Sequence, residues 1–221
     1  IEAAIGAGVK LFTFISTDKV VNPTSVMGAT KKLCEYYIQC LKPKGMHFNI
    51  VRFGNVINSN GSALPLFERQ IAGQGYVTVT HKKMKRFFMS IREAAQLVIE
   101  STAKGKRDVI HILNMGELIN IYEVALCLIR AKGFVPGKDV EVRIMGLRKG
   151  EKMIEELYTE NERGNMIKTS MDRIFSLKNQ DQCPVDIREA FESLEEMVKT
   201  GVPQDTLRKS LRKIFPSLKI T

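Results

Sequence analysis

The chain has 221 residues, 44% of them hydrophobic, and a formal net charge of +10. That length and composition suit one large domain, or one and a half ordinary ones, with a real core, and no apolar run approaches the roughly 18 residues that span a bilayer. The cysteines Cys34, Cys40, Cys127 and Cys183 lie too far apart for a zinc site or a disulfide scaffold and read as reduced thiols, mostly packed on helices. The histidines His47, His81 and His111 are scattered, so no metal site is expected. Ile1 is not a Met, and the natural start is expected to lie upstream of it.

The first element is the end of a helix, "IEAAIGAGVK", stopped by Gly8. "LFTFIS" is an apolar run of the buried-strand type, followed at once by the polar quartet Ser16, Thr17, Asp18 and Lys19. Pro23 breaks the chain before a helix over 26–41, which carries Met27 and Lys31 four residues apart and hence on one face. "GMHFNIVRF" is a second buried strand. Strand, helix, strand predicts a right-handed parallel crossover and a chain that enters in the middle of an α/β sheet.

A Gly/Asn/Ser loop, "GNVINSNGSALP", leads to a helix over 66–72 and a short alternating strand, "YVTVT". "REAAQLVIESTAKG" reads as an amphipathic helix and "DVIHILN" as a strand. Asn120 with Glu123 forms a capping box ahead of the helix "IYEVALCLIRAKG". A strand "DVEVRIMGL", a helix "GEKMIEELY" and two closing helices over 186–199 and 204–215 complete the pattern. The fold class is α/β: the C-terminal part of a Rossmann-like doubly wound parallel sheet, over 1–56, with a smaller mixed α/β lobe. That lobe covers 57–160 and includes some elements returning to the sheet, and 161–221 is a helical C-terminal extension. Ligands in open α/β sheets bind at the carboxyl edge of the strands, where Ser16 to Lys19 fall. No Gly-x-Gly-x-x-Gly turn occurs, so a cradle for a dinucleotide pyrophosphate is expected upstream of Ile1.

Two basic clusters stand out, "HKKMKR" and "TLRKSLRKIFPSLK". Each reads either as a solvated face or as a contact for an anionic ligand. No helix-turn-helix, zinc finger or aromatic RNA-binding signature accompanies them, so nucleic acid is not an expected partner.

In order along the chain, "STDK", "NPT", "VMGATKK", "RFGNV", "GSALPLF", "VTVTH", "RFFMSIREAAQLV" and "GLRKGEK" resemble the extended short-chain dehydrogenase/reductases of polysaccharide biosynthesis that dehydrate UDP-N-acetylglucosamine. The likeness covers most of residues 1–160. Shorter members of that family carry Tyr-x-x-x-Lys. Longer members, usually with transmembrane helices ahead of the Rossmann domain, carry Met-x-x-x-Lys, and Met27 to Lys31 is similar to the long type.

The resemblance implies a nucleotide-sugar 4,6-dehydratase with NAD as cofactor, NADP being the alternative. A hydride leaves sugar carbon 4, water leaves across carbons 5 and 6, and the hydride returns to carbon 6. In this reading Asp18 is the acid for the leaving hydroxyl and Lys19 the base for the carbon 5 proton. Lys31 holds the nicotinamide ribose, and Ser16 and Val56 join it in cofactor binding. Met27 has no useful proton to move. Thr17 would relay the carbon 4 hydroxyl proton to Asp18, with Met27 packing on nicotinamide or sugar. Asn55, Arg86, Arg148 and Glu151 are the implied substrate contacts, the arginines on phosphate oxygens. The turn "HKKMKRFF" departs from the family's usual acidic-and-proline turn.

The same resemblance implies a homo-oligomer. It is cytoplasmic, or held on the cytoplasmic face of the inner membrane if the full-length protein has N-terminal transmembrane helices. Two other classes compete: a non-catalytic Rossmann-like nucleotide-binding module, which Met27 favours and the Asp18–Lys19 pair opposes, and a UDP-sugar 4-epimerase, which Met27 opposes.

Overall fold

The structure, a computed structural model, describes residues 1–41, 45–59, 61–177 and 186–216. In chain order the elements are α1 (Glu2–Gly6), β1 (Leu11–Ile15), α2 (Val26–Leu41), β2 (His47–Arg52), β3 (Asn55–Val56), α3 (Ala63–Gln74) and β4 (Tyr76–Val79). Next come β5 (Lys85–Arg86), β6 (Phe88–Met89), α4 (Ile91–Lys104), β7 (Val109–Leu113), β8 (Ile119–Asn120) and α5 (Ile121–Ala131). The chain finishes with β9 (Glu141–Ile144), α6 (Glu160–Arg163), β10 (Met166–Lys168), β11 (Ile174–Leu177), α7 (Ile187–Lys199) and α8 (Gln204–Ile214).

Two compact units form. The first comprises 1–53, 97–114 and 156–221, the second 54–96 and 115–155. The first is built on a five-stranded sheet in the order β1-β2-β7-β11-β10. β1, β2 and β7 run parallel, in the register Phe14↔Ile50 and Ile50↔Ile110, and β11 and β10 add antiparallel. β7 is buried along its whole length and β2 over all but His47, as expected of strands covered on both faces. Among the described residues β1 pairs only with β2 and is half-buried, with Ile15 exposed.

The helix α2 lays Ala29, Leu33 and Tyr36, spaced four and three apart, against Ile187 of α7 and Leu211, Ile214 and Phe215 at the end of α8. The rings of Tyr36 and Phe215 stack with centroids 6.2 Å apart. This explains the apolar spacing of the last two helices, whose other faces carry charge.

The second unit packs α3, α5 and β4 around Phe67, Ile71, Val77, Val79, Ile121, Ala125 and Ile129. β4 pairs parallel with β9, β3 parallel with β6, and β5 antiparallel with β8. Asn120 caps α5, its Oδ1 accepting from the N–H groups of Tyr122 and Glu123 at 2.8 and 3.2 Å.

The structure departs from the sequence reading at three places. "GEKMIEELY", expected as a helix, runs without one. The Lys85 N–H donates to the Met153 carbonyl at 3.0 Å and Ile154 bridges to Lys85, so backbone pairing with the 85–86 strand replaces the helical ladder. The segment after 160 is not purely helical: β10 and β11 complete the main sheet, and 156–221 belongs to the first unit. Finally, Cys40 and Cys127 are exposed on their helices rather than packed, and only Cys34 is half-buried, where burial pushes its thiol up. Cys183 and the end of the second basic cluster lie outside the described residues.

Among the described residues no helix is long and apolar enough to cross a membrane, and no cluster of His, Cys, Asp and Glu has metal-ligating geometry.

Candidate active site

At the carboxyl end of β1 the chain turns through a short 3₁₀ segment, Asp18–Val20. Thr17 precedes it in an extended conformation, and its hydroxyl accepts from the Lys19 N–H at 3.4 Å. The Thr17 hydroxyl donates to Asp18 Oδ1 at 2.8 Å, and the Lys19 ammonium donates to the same oxygen at 2.8 Å. Asp18 is fully buried, while Lys19 keeps about a quarter of its side chain open. Asp18 Oδ2 has no hydrogen-bond partner among the described residues. A buried carboxylate oxygen in that condition is costly, and a catalytic role is one explanation for it.

Two backbone bonds set this stretch. The Ser16 N–H donates to the Val51 carbonyl at 2.8 Å and the Asp18 N–H to the Phe53 carbonyl at 3.0 Å, extending the β1–β2 pairing past the strand end. The helix α2 approaches from another side. A Cβ built on Gly28 would lie 2.2 Å from the Lys19 carbonyl oxygen, so only glycine lets the helix come this close. Gly28 was not singled out from the sequence, although a glycine inside a helical pattern is the signal that marks such an approach. From the next turn the Lys31 ammonium reaches back, donating to the Ile15 carbonyl at 3.1 Å and lying 4.7 Å from the Phe14 ring centroid. Met27, four residues before Lys31, is 48% exposed.

Behind the strand end lies a buried ionic network that sequence reading missed. Arg52 ends β2 with no exposed surface. Its Nε and Nη2 grip Glu35 of α2 at 2.8 and 2.6 Å, and its Nη1 donates to Glu162 of α6 at 2.8 Å. Lys32 lies 3.5 Å from the second Glu35 oxygen. Ser16 donates its hydroxyl to Glu35 Oε1 at 2.6 Å, which commits that side chain to the network. Burial alone would raise the Glu35 carboxyl, but the Arg52 guanidinium outweighs it and holds the group below its ordinary value. Burial would likewise lower Arg52, and the two carboxylates hold it up instead. Glu162 is also oriented by a capping box with Thr159.

In the second unit, Asn55 and Val56 form β3 beside Phe88 and Met89. Arg86 is buried: it donates to the Lys85 and Met153 carbonyls at 2.8 and 3.3 Å and lies 3.5 Å from Glu151 and 3.8 Å from Glu155. Glu151 also accepts from the Thr80 hydroxyl at 3.4 Å and from the Arg148 N–H at 3.1 Å. The Arg148 side chain is exposed. Of the basic turn 81–86, Lys82, Lys83 and Lys85 are exposed and Arg86 is not. The structure therefore joins Arg86 to Glu151 in one cluster, with Arg148 at its open end, and joins Thr17, Asp18 and Lys19 in another.

A family profile described as "Polysaccharide biosynthesis protein" matches residues 1–179. The chain belongs to the polysaccharide biosynthesis protein family. A family relative is the probable polysaccharide biosynthesis protein EpsC of Bacillus subtilis, 47% identical over 162 residues, which cover 73% of this chain and 27% of that protein. Further off are two proteins with different names. One is a UDP-N-acetylglucosamine 4,6-dehydratase (inverting) of Campylobacter jejuni, 30% identical over 70% of this chain and 45% of its own length. The other is a UDP-glucose 4-epimerase of Rickettsia canadensis, 32% identical over 71% of this chain and 46% of its own. The solved structure of Pen from Bacillus thuringiensis superposes with a TM-score of 0.71 at 34% identity, covering 80% of this chain and 55% of that one. The family fold is a Rossmann-like mixed α/β sheet. The chain spans about a quarter of the length of EpsC and under half of the other two curated relatives.

Proposed function

We propose that the protein carrying this chain is a nucleotide-sugar 4,6-dehydratase that uses NAD and acts on UDP-N-acetylglucosamine, giving a 4-keto-6-deoxy sugar for surface polysaccharide. The observation that carries this reading is Asp18: a fully buried carboxylate with one oxygen shared by a hydroxyl and an ammonium and the other without a partner among the described residues. The relative from Campylobacter jejuni, named for that reaction, supports it.

The residues present fit the ribose end of a nicotinamide cofactor. Lys31 has three N–H donors, and its bond to the Ile15 carbonyl leaves others for a ribose diol. Bound there, the cofactor would accept a hydride from the substrate and return it. Every other step is a proton transfer by this chain. Thr17, already donating to Asp18, passes the carbon 4 hydroxyl proton to that carboxylate. Asp18 delivers the same proton to the hydroxyl leaving carbon 6, so water departs and Asp18 is restored. Lys19, having released its ammonium proton to solvent through its open face, takes the carbon 5 proton as a neutral amine and gives it back to carbon 5 afterwards. The net change is the loss of one water. Met27, half-exposed on the face it shares with Lys31, provides an apolar contact where a tyrosine would provide a hydroxyl.

The epimerase name among the relatives supports a second reading, 4-epimerisation, which needs no elimination. It leaves the Asp18–Lys19 pair without work. Lys19→Ala separates the two. In the intact protein it should abolish loss of water from UDP-N-acetylglucosamine, read by mass spectrometry, while NAD binding stays nearly unchanged. Normal water loss by that variant sinks the assignment, and an epimerised product without water loss in the wild type favours the second reading.

A further inference from the structure

Arg52 stands between the two residues whose carbonyls hold the Asp18 stretch. The Val51 carbonyl takes the Ser16 N–H and the Phe53 carbonyl takes the Asp18 N–H. The Arg52 side chain, fully buried, leaves this double anchor for Glu35 and Glu162. Glu35 in turn accepts from the Ser16 hydroxyl, two residues before Asp18. The loop is closed: Ser16 is bound through its N–H to β2 and through its hydroxyl to α2, and Arg52 binds β2 to α2. Glu162 ties the same guanidinium to a turn 110 residues further on, where the Thr159 hydroxyl and N–H fix its own position.

We propose that Arg52 and Glu162 are positioning residues for the dehydration: they set the backbone of Ser16 to Asp18, and so the place of the Asp18 carboxylate and the Lys19 amine, without touching substrate. This rests on the dehydratase reading above. The geometry favours it over a generic stabilising role, because three members of the network border the site. Glu35 follows Lys31 by one turn of α2, Ser16 adjoins Thr17, and Arg52 lies between the two acceptor carbonyls.

The test uses the intact protein, with turnover of UDP-N-acetylglucosamine and of the same sugar deuterated at carbon 5. Glu162→Gln keeps the shape and removes the charge. The turnover number should fall on the order of 10²-fold, as for a reacting group displaced by about 1 Å. The Michaelis constant should stay within about two-fold, since no substrate contact is lost. The deuterium effect should rise above the wild-type value, because a displaced Lys19 slows removal of the carbon 5 proton. A variant that merely leaves fewer molecules folded lowers turnover with the deuterium effect unchanged, and that result overturns the proposal. Arg52→Lys keeps a cation but loses the two-pronged grip on Glu35, and should show the same pattern; full activity in it is equally fatal. If Glu162→Gln lacks near-ultraviolet dichroism, Glu162→Asp is read in its place. A wild type that removes no water from the sugar defeats the dehydratase reading and this proposal with it, whereas an active wild type beside an unaffected Glu162→Gln defeats this proposal alone.

Discussion

Replacing Gly28 by alanine sets a local gain against a collision. Alanine exceeds glycine by about 0.8–1 kcal/mol in a helix interior, and by less in the first turn of α2 where Gly28 lies. The new Cβ would sit 2.2 Å from the Lys19 carbonyl oxygen, 3.1 Å from its carbon and 3.4 Å from Pro23 Cβ. Ordinary contact begins at 3.4 Å, so helix and turn must part by 3.4 − 2.2 = 1.2 Å. The obstacle is backbone held by the Asp18–Phe53 bond, and no flexible side chain can give way. Overpacking of this kind costs about 1–3 kcal/mol, so the net loss of stability is about 0–3 kcal/mol. At about 2–4 °C per kcal/mol for a chain of this size, melting should fall by no more than about 12 °C. Activity should suffer more. A shift of about 1 Å in a reacting group costs on the order of 10²-fold in rate, and Lys19 is the residue pushed. Turnover of the intact variant, followed by mass spectrometry for lost water beside a thermal melt, reads both effects. Wild-type turnover in Gly28→Ala would falsify the close approach as a determinant of Lys19's place.

Arg148→Ala should raise the Michaelis constant for the nucleotide sugar and spare the turnover number, since an exposed arginine on a phosphate binds ground and transition states alike. The loss of one charge-assisted contact is about 1.5–3 kcal/mol; an unchanged Michaelis constant with collapsed turnover contradicts that role. Glu35 makes stability depend on pH. Its folded carboxyl titrates below the ordinary 4.5, so the unfolded chain takes up protons first on acidification. The stabilisation is complete above pH 4.5 and drains as pH falls through the lowered folded value. Glu35→Gln should therefore lose about 3–5 kcal/mol at neutral pH, as a broken buried pair does, yet lose less than the wild type on further acidification. Parallel melting curves of the two proteins below pH 4.5 refute this.

The crossover β1–α2–β2 was readable because its signals are local: an apolar run, a polar stop, Pro23, and an apolar spacing that continues to Leu41. The structure returns α2 as Val26–Leu41, and the Thr17–Asp18–Lys19 cluster at the strand end follows from the same signals. What escaped depends on distant partners. β3, β5, β6 and β8 are two residues long, too short for alternation to mark. "GEKMIEELY" has the composition of a helix but is claimed by pairing with Lys85. The resemblance puts Arg86 on a phosphate oxygen, and nothing in "HKKMKR" announces that Glu151 and Glu155 also stand beside it. Arg52 sits inside a quoted motif, "RFGNV", yet its role becomes visible only when a glutamate 110 residues away folds onto it.

That separation has a consequence during synthesis. Arg52 and Lys32 leave the ribosome with Glu35 as their near counterion, and Glu162 emerges 110 residues after Arg52. At roughly 5–20 residues per second the delay is about 5–20 s. For that interval the sheet would have to enclose two cations against one carboxylate, an arrangement that desolvation opposes. Desolvation therefore favours enclosing Arg52 after the turn at Thr159 has arrived, so the interior would close by neutralisation rather than by early collapse.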